Sequence, residues 1–108
     1  MNYKDIRLDL LRKLESDPHC TQREISQEMG ISLGKVNYYI QKLTEKEWVM
    51  LTNFSLSSNK LGYMYLLTPK GKEQKARLTT SFLKIKLDEF EALKNEIAQL
   101  ELDAKKNG

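Results

Sequence analysis

The sequence predicts a mainly α-helical fold that carries one small β-hairpin and ends in a long helix. Three observations predict it. Apolar residues recur at helical spacing in three short segments before residue 47, each bounded by capping residues. Two aromatic and aliphatic runs, 48–54 and 61–67, flank the polar stretch 55–60. No glycine or proline interrupts 72–107.

The chain has 108 residues, room for one modest core and not for a second. With 40% hydrophobic and 31% charged residues it has the composition of an ordinary soluble domain. Its apolar runs fall far short of the about 18 residues a membrane span needs. Charges stand where a signal peptide would be apolar, so a cytoplasmic location is expected and no membrane partner. A single cysteine, Cys20, cannot form an internal disulfide.

Ile6, Leu10, Leu11 and Leu14 line one face of a first helix over Tyr3–Ser16, closed by Asp17-Pro18 because the residue before proline avoids the helical region. Thr21-Gln22-Arg23-Glu24 has the capping-box pattern and opens a second helix. Gly30 ends it after Ile25 and Met29 have given it one buried face. Ser32 caps a third helix, Leu33 to about Lys46, with Val36, Ile40 and Leu43 on its core side. Only Met29-Gly30-Ile31-Ser32 separates the second and third helices, so they cross steeply as a helix-turn-helix. The polar stretch Ser55–Lys60 reads as the loose tip of a hairpin wing, and Thr68-Pro69 as the cap and first residue of a fourth helix.

The net charge of +3 is small, but its distribution is uneven. Residues 31–80 carry eight basic and three acidic side chains, whereas 1–30 and 81–108 each carry five basic and six acidic. The positive stretch therefore coincides with the third helix and the hairpin, the elements that meet duplex DNA in a winged helix-turn-helix. Ser32, Gly34 and Lys35 give the third helix a small and polar start suited to the major groove. Gln41 is the residue type that pairs with adenine, Lys35 and Lys42 suit guanine edges or phosphates, and Tyr38 suits a phosphate or a thymine methyl. Asn37, nearer the core face, ranks below them. Asn59 and Lys60 are the wing's candidates for a minor groove or phosphate, with an ordinary turn an equal reading for Asn59. Thr21, Gln22 and Arg23 open a helix whose free amides favour phosphate, although capping alone also explains Thr21.

Adjacent His19 and Cys20 lack a carboxylate placed by spacing, and there is no phosphate loop or zinc spacing. No enzymatic activity, cofactor or metal is expected. Trp48, Tyr63 and Tyr65 are expected in the core rather than as a stacking platform for single strands.

An uninterrupted final helix of this length needs a partner. With Leu83 at heptad position a, Phe90, Ile97 and Ala104 also fall on a and Leu93 and Leu100 on d; Leu87 flanks them at e, and Lys86 is the polar exception at d. The expected division is residues 1–71 as a DNA-binding unit and 72–108 as a dimerisation helix, giving a coiled-coil homodimer. A protein-interaction adaptor, its last helix pairing with a different protein, is the alternative.

Thr21-Gln22-Arg23-Glu24-Ile25-Ser26, Met29-Gly30-Ile31-Ser32, Val36-Asn37-Tyr38 and Leu43-Thr44-Glu45-Lys46 resemble the winged helix-turn-helix of MarR-type bacterial regulators. Leu67-Thr68-Pro69-Lys70-Gly71 is similar to the Leu-Thr-x-x-Gly that follows their wing. Gly30 through Tyr38, with Asn59-Lys60-Leu61 and Ala76-Arg77-Leu78-Thr79, is similar to the short regulators described as EPS-associated members of that family. The resemblance implies a bacterial transcription factor encoded beside exopolysaccharide genes; occupying a promoter would repress transcription, with activation the alternative. Asn59-Lys60 stands where typical members have Asp-Arg, and Glu47 where they have glycine, at about 1 kcal/mol if the left-handed conformation persists. The long N-terminal helix that helps form a ligand pocket in typical members is missing, so a small-molecule inducer is not expected.

Overall fold

The computed structural model describes residues 5–57 and 60–107, without the side chains of residues 53–57, 60 and 61. Helix α1 spans Ile6–Ser16, α2 Gln22–Met29, α3 Leu33–Glu45 and α4 Pro69–Asn107, with the antiparallel strands β1 (Val49–Ser57) and β2 (Lys60–Leu67) between α3 and α4. The Asp5 carboxylate accepts from the amides of Arg7 and Leu8 at 3.0 and 3.3 Å. By satisfying two of the first turn's orphan donors it starts α1 at Ile6, not at the expected Tyr3.

The turn between α2 and α3 forms as its residues dictate. Thr21 Oγ1 accepts from the Glu24 amide and Ser32 Oγ from the Lys35 amide, both at 3.1 Å. Gly30 adopts φ 67°, the left-handed conformation that costs glycine least, and its amide and that of Ile31 both donate to the Ser26 carbonyl.

The end of α3 uses a more costly device. Glu47 is itself left-handed, with φ 62°; its amide donates to the Thr44 carbonyl and that of Trp48 to the Leu43 carbonyl. This pair of bonds, with buried Leu43 and Trp48 side by side in the core, is a Schellman motif closed by a residue that strains to form it. Trp48 is therefore part of the helix cap, and the strand expected from Trp48 begins at Val49.

The hairpin register runs from Val49 opposite Leu67 to Ser57 opposite Lys60, with one irregularity between Ser55 and Ser57. Backbone pairing thus extends into the stretch expected to be a loose tip. The Tyr65 amide donates to the Pro18 carbonyl at 2.9 Å, tying the α1–α2 link to the edge of β2.

Leu10, Leu11 and Leu14 of α1 meet Cys20, Ile25 of α2, Val36, Ile40 and Leu43 of α3, and Trp48 and Val49 in one core. Each fully buried aliphatic side chain contributes about 1.5–3 kcal/mol, which makes this the main source of stability. Charged pairs staple the helices outside it: Lys13 Nζ lies 2.8 Å from Glu28 and 3.4 Å from Asp17, and Lys75 Nζ 2.6 Å from Glu15.

Helix α4 starts against this core and then leaves it. Thr68 Oγ1 accepts from the Gly71 amide at 3.0 Å and donates to the Glu47 carbonyl, while the Thr68 amide donates to the Trp48 carbonyl. Gly71 is buried so closely on Trp48 that a β-carbon there would overlap the Trp48 carbonyl oxygen. Leu78 still packs on the core, but every residue from Glu91 to Asn107 is exposed. The 39 residues of α4 span about 58 Å, and the radius of gyration is 19.9 Å, where a compact chain of this size has about 13 Å.

Two substitutions test this junction in opposite directions. Glu47→Gly relieves the left-handed strain and should raise unfolding stability by about 1 kcal/mol. Gly71→Ala drives a methyl into the Trp48 carbonyl and should lower it by about 2–3 kcal/mol. Urea unfolding followed by the fluorescence of Trp48 measures both; a neutral Gly71→Ala would show that the contact is not close.

Candidate nucleic-acid interface

The outward side of α3 follows from its inward side. Val36, Ile40 and Leu43 are buried, so the helical period turns Gly34, Tyr38, Gln41 and Lys42 to solvent, with Ser32 and Lys35 exposed at the N-terminal end. A β-carbon at Gly34 would meet nothing within 4 Å, so this glycine is not required by packing and leaves the start of α3 bare. Lys42 Nζ stands 5.5 Å from the centre of the Tyr38 ring and 3.5 Å from a Glu45 carboxylate oxygen. Both charges of that pair are largely exposed, so it holds Lys42 only weakly.

Asn37 is exposed rather than close to the core face. Its side-chain amide donates to Gln22 Oε1 at 3.2 Å, and Gln22 Nε2 donates to the Tyr65 hydroxyl at 3.3 Å. Sequence spacing could not find this chain of bonds, because its members come from α3, α2 and β2. It gives half-buried Gln22 a positioning role between the helix-turn-helix and the hairpin, while Thr21 and Arg23 beside it remain exposed.

Two further residues of this surface are absent from the sequence-based set: Leu33, 42% exposed at the first position of α3, and Glu45, an acid on the outward face. Helical phase is enough to find Glu45. Leu33 escapes because an apolar residue beside Ser32 reads as core.

The hairpin corrects one expectation and leaves others undecided. Trp48 is buried and Tyr65 packs partly against the core, but Tyr63 is 64% exposed. Tyr63 and Tyr65 share a face of β2, yet Tyr63 lies two residues farther from the helices and has outrun the core. There it walls an open, mostly apolar cleft of about 450 Å³ with Leu51, Gly62 and the His19–Thr21 link. Lys60 opens β2, its side chain outside the description, and Asn59 lies outside the described residues.

With a helix-turn-helix, an outward α3 and an adjoining two-stranded hairpin in place, the architecture is complete. The fold is that of a winged helix. Residues 4–50, under half of the chain, match the family described as winged helix-turn-helix DNA-binding. Two solved structures share the winged-helix fold at 19% identity. One is Streptococcus pneumoniae FabT in complex with DNA, at TM-score 0.57, covering 82% of this chain and 60% of FabT. The other is a cysteine-to-serine mutant of Lactococcus lactis ZitR, at TM-score 0.59, covering 89% of this chain and 66% of ZitR. The chain thus spans less than two thirds of either structure's length. No curated protein matches the sequence significantly.

Cys20 belongs to the winged-helix core. Burial first, and the Asp17 charge second, push its thiol above the ordinary range. Such a thiol is a poor nucleophile. No cluster of three or more metal-ligating side chains occurs among the described residues. Among those residues, no helix is long and apolar enough to cross a membrane.

Burial of the Cys20 thiol makes stability depend on pH. An unfolded chain loses the thiol proton at lower pH than the native one, so alkalinity favours unfolding. Lys13, raised chiefly by its hydrogen bond to Glu28, acts in the same direction at higher pH: the native state keeps a proton that the unfolded chain gives up. The urea midpoint should therefore fall as pH rises through about 8.5 and beyond. Cys20→Ala should flatten the lower part of that fall; an unchanged profile would show that the thiol does not titrate differently on unfolding.

Proposed function

We propose that this chain is a sequence-specific, double-stranded DNA-binding transcriptional regulator that acts in the cytoplasm as a homodimer. The observation that carries the reading is the division of α3 into a buried stripe, Val36, Ile40 and Leu43, and a polar solvent face with a bare start at Gly34. Such a face fits the major groove. The match of residues 4–50 to a DNA-binding family and the DNA-bound state of the structurally similar FabT support it.

In this reading Gln41, Lys35 and Lys42 contact base edges or phosphates, and Tyr38 and Leu33 suit thymine methyls or the sugar edge. Thr21 and Arg23 lie near a phosphate at the start of α2, with Gln22 and Asn37 holding α2 and α3 in register. Asn59 and Lys60 provide the wing contact. Dimerisation uses the exposed face of α4, Leu83, Leu87, Phe90, Leu93, Ile97, Leu100 and Ala104. It sets two α3 helices about 34 Å apart over a pseudo-palindromic site. Residues 1–71 then form the DNA-binding unit and 72–108 the dimerisation unit. The resemblance to EPS-associated MarR-type regulators points to repression of exopolysaccharide genes by promoter occupancy.

Binding to the DNA upstream of the chain's own gene, titrated against salt, tests this function. Lys60→Ala should weaken binding to all sequences and reduce the salt slope by about 1. Gln41→Ala should mainly erode discrimination, by about 1–3 kcal/mol at one base pair. Duplex DNA that is not shifted at any salt concentration would favour the adaptor reading instead.

A further inference from the structure

We infer that two copies of this chain pair their α4 helices in parallel, so that both winged helices lie side by side at one end of the coil. The inference rests on the homodimer reading and adds its orientation. Leu83, Leu87, Phe90, Leu93, Ile97 and Leu100 are each close to half exposed or more; Leu83 still borders a cleft with Leu8 and Arg12 of α1, and from Glu91 to Asn107 every residue is exposed. A second copy covers such a stripe with the same stripe.

The flanking charges select the direction. With Leu83 at a, the g positions are Glu89, Glu96 and Asp103, all acidic, and the e positions are Leu87, Lys94 and Glu101. In an antiparallel pair g faces g. Every stagger that keeps Phe90, Leu93 and Ile97 in the seam then opposes acid to acid along that edge. In a parallel pair each g faces the e position five residues on in the other copy. Glu89 then meets Lys94, twice by symmetry, and Phe82 at the preceding g meets Leu87. Among these flanking pairs only Glu96 opposite Glu101 is unfavourable. The acidic edge thus finds its cationic partner in the parallel arrangement alone.

The start of the stripe agrees with this direction, and Lys86 is its one cost. Lys86, the polar residue at d, faces the other copy's Lys86 in a parallel pair, a repulsion reduced by its contacts within its own helix, where Nζ lies 3.2 Å from Glu89 and 5.2 Å from the centre of the Phe82 ring. The apolar stripe begins at Leu83, just past the turns where Lys75 and Leu78 hold α4 to the body. A parallel coil therefore starts directly above both bodies and sets them next to each other. An antiparallel coil would send them to opposite ends of the seam.

Ala104→Cys tests the direction in the full-length protein. Identical a positions face each other in a parallel, in-register coil, within reach of a disulfide. In a glutathione redox buffer this variant should convert almost completely to a covalent dimer, while the unsubstituted chain, its Cys20 buried, should not. Light scattering of the reduced variant separates the two claims. A dimer mass without cross-linking overturns the parallel orientation and leaves the homodimer standing, whereas a monomer at micromolar concentration overturns both. Glu101→Lys gives a second reading that leaves the seam intact. It turns the Glu96–Glu101 repulsion into attraction and should tighten the dimer roughly tenfold; an unchanged dissociation constant counts against the parallel register.

Discussion

The end of α3, the hairpin and α4 are oriented by one junction, the seating of Gly71 on the Trp48 backbone. Three elements meet there: the end of α3, the start of β1 and the first turn of α4. Trp48 closes the α3 cap through its amide, receives the Thr68 amide on its carbonyl and puts its ring into the core. Thr68 completes the contact by bonding to both Glu47 and Gly71. The direction of α3, the root of the hairpin and the exit of α4 are therefore coupled within a few residues. A displacement at any of them moves the α3 face or the α4 stripe.

The cost of that coupling is visible at Glu47. A glycine would take the left-handed position without strain, yet the chain keeps a glutamate at φ 62°. Two backbone hydrogen bonds and the burial of Leu43 and Trp48 outweigh about 1 kcal/mol of backbone strain, so tertiary packing decides the conformation and local preference yields.

The second organising constraint is that the core is small and the last helix long. Among the described residues ten buried side chains form the core cluster, and the body's last contacts with α4 lie around Phe82, Leu83 and Lys86, which border a cleft with Leu8 and Arg12. The apolar stripe from Leu83 onward is thus left outside by geometry, and the same helix that braces the winged helix through Lys75 and Leu78 offers a surface for association. The α3 face and the α4 face lead away from the same Trp48–Gly71 contact, one committed by its polarity and the other by its exposed leucines.

The helices, the caps at Thr21, Gly30, Ser32 and Thr68 and the inward stripe of α3 were legible in the sequence because each depends on neighbours within one or two turns; the Asp5 cap of α1 was not. Thr21, Gly30, Ser32 and Thr68 act on amides or carbonyls a few residues away, and a 3.6-residue period fixes which side of α3 and α4 is apolar. The heptad at Leu83 could be read for the same reason. What only the tertiary structure decided involves residues distant in sequence. The Asn37–Gln22–Tyr65 chain of hydrogen bonds joins three elements, Gly71 is required by a carbonyl more than twenty positions earlier, and Tyr63 is exposed because the hairpin extends past the end of the core. Periodicity assigns a side chain to a face of its own element. Whether another element lies against that face, and how closely, is set by packing between segments that the local sequence does not encode.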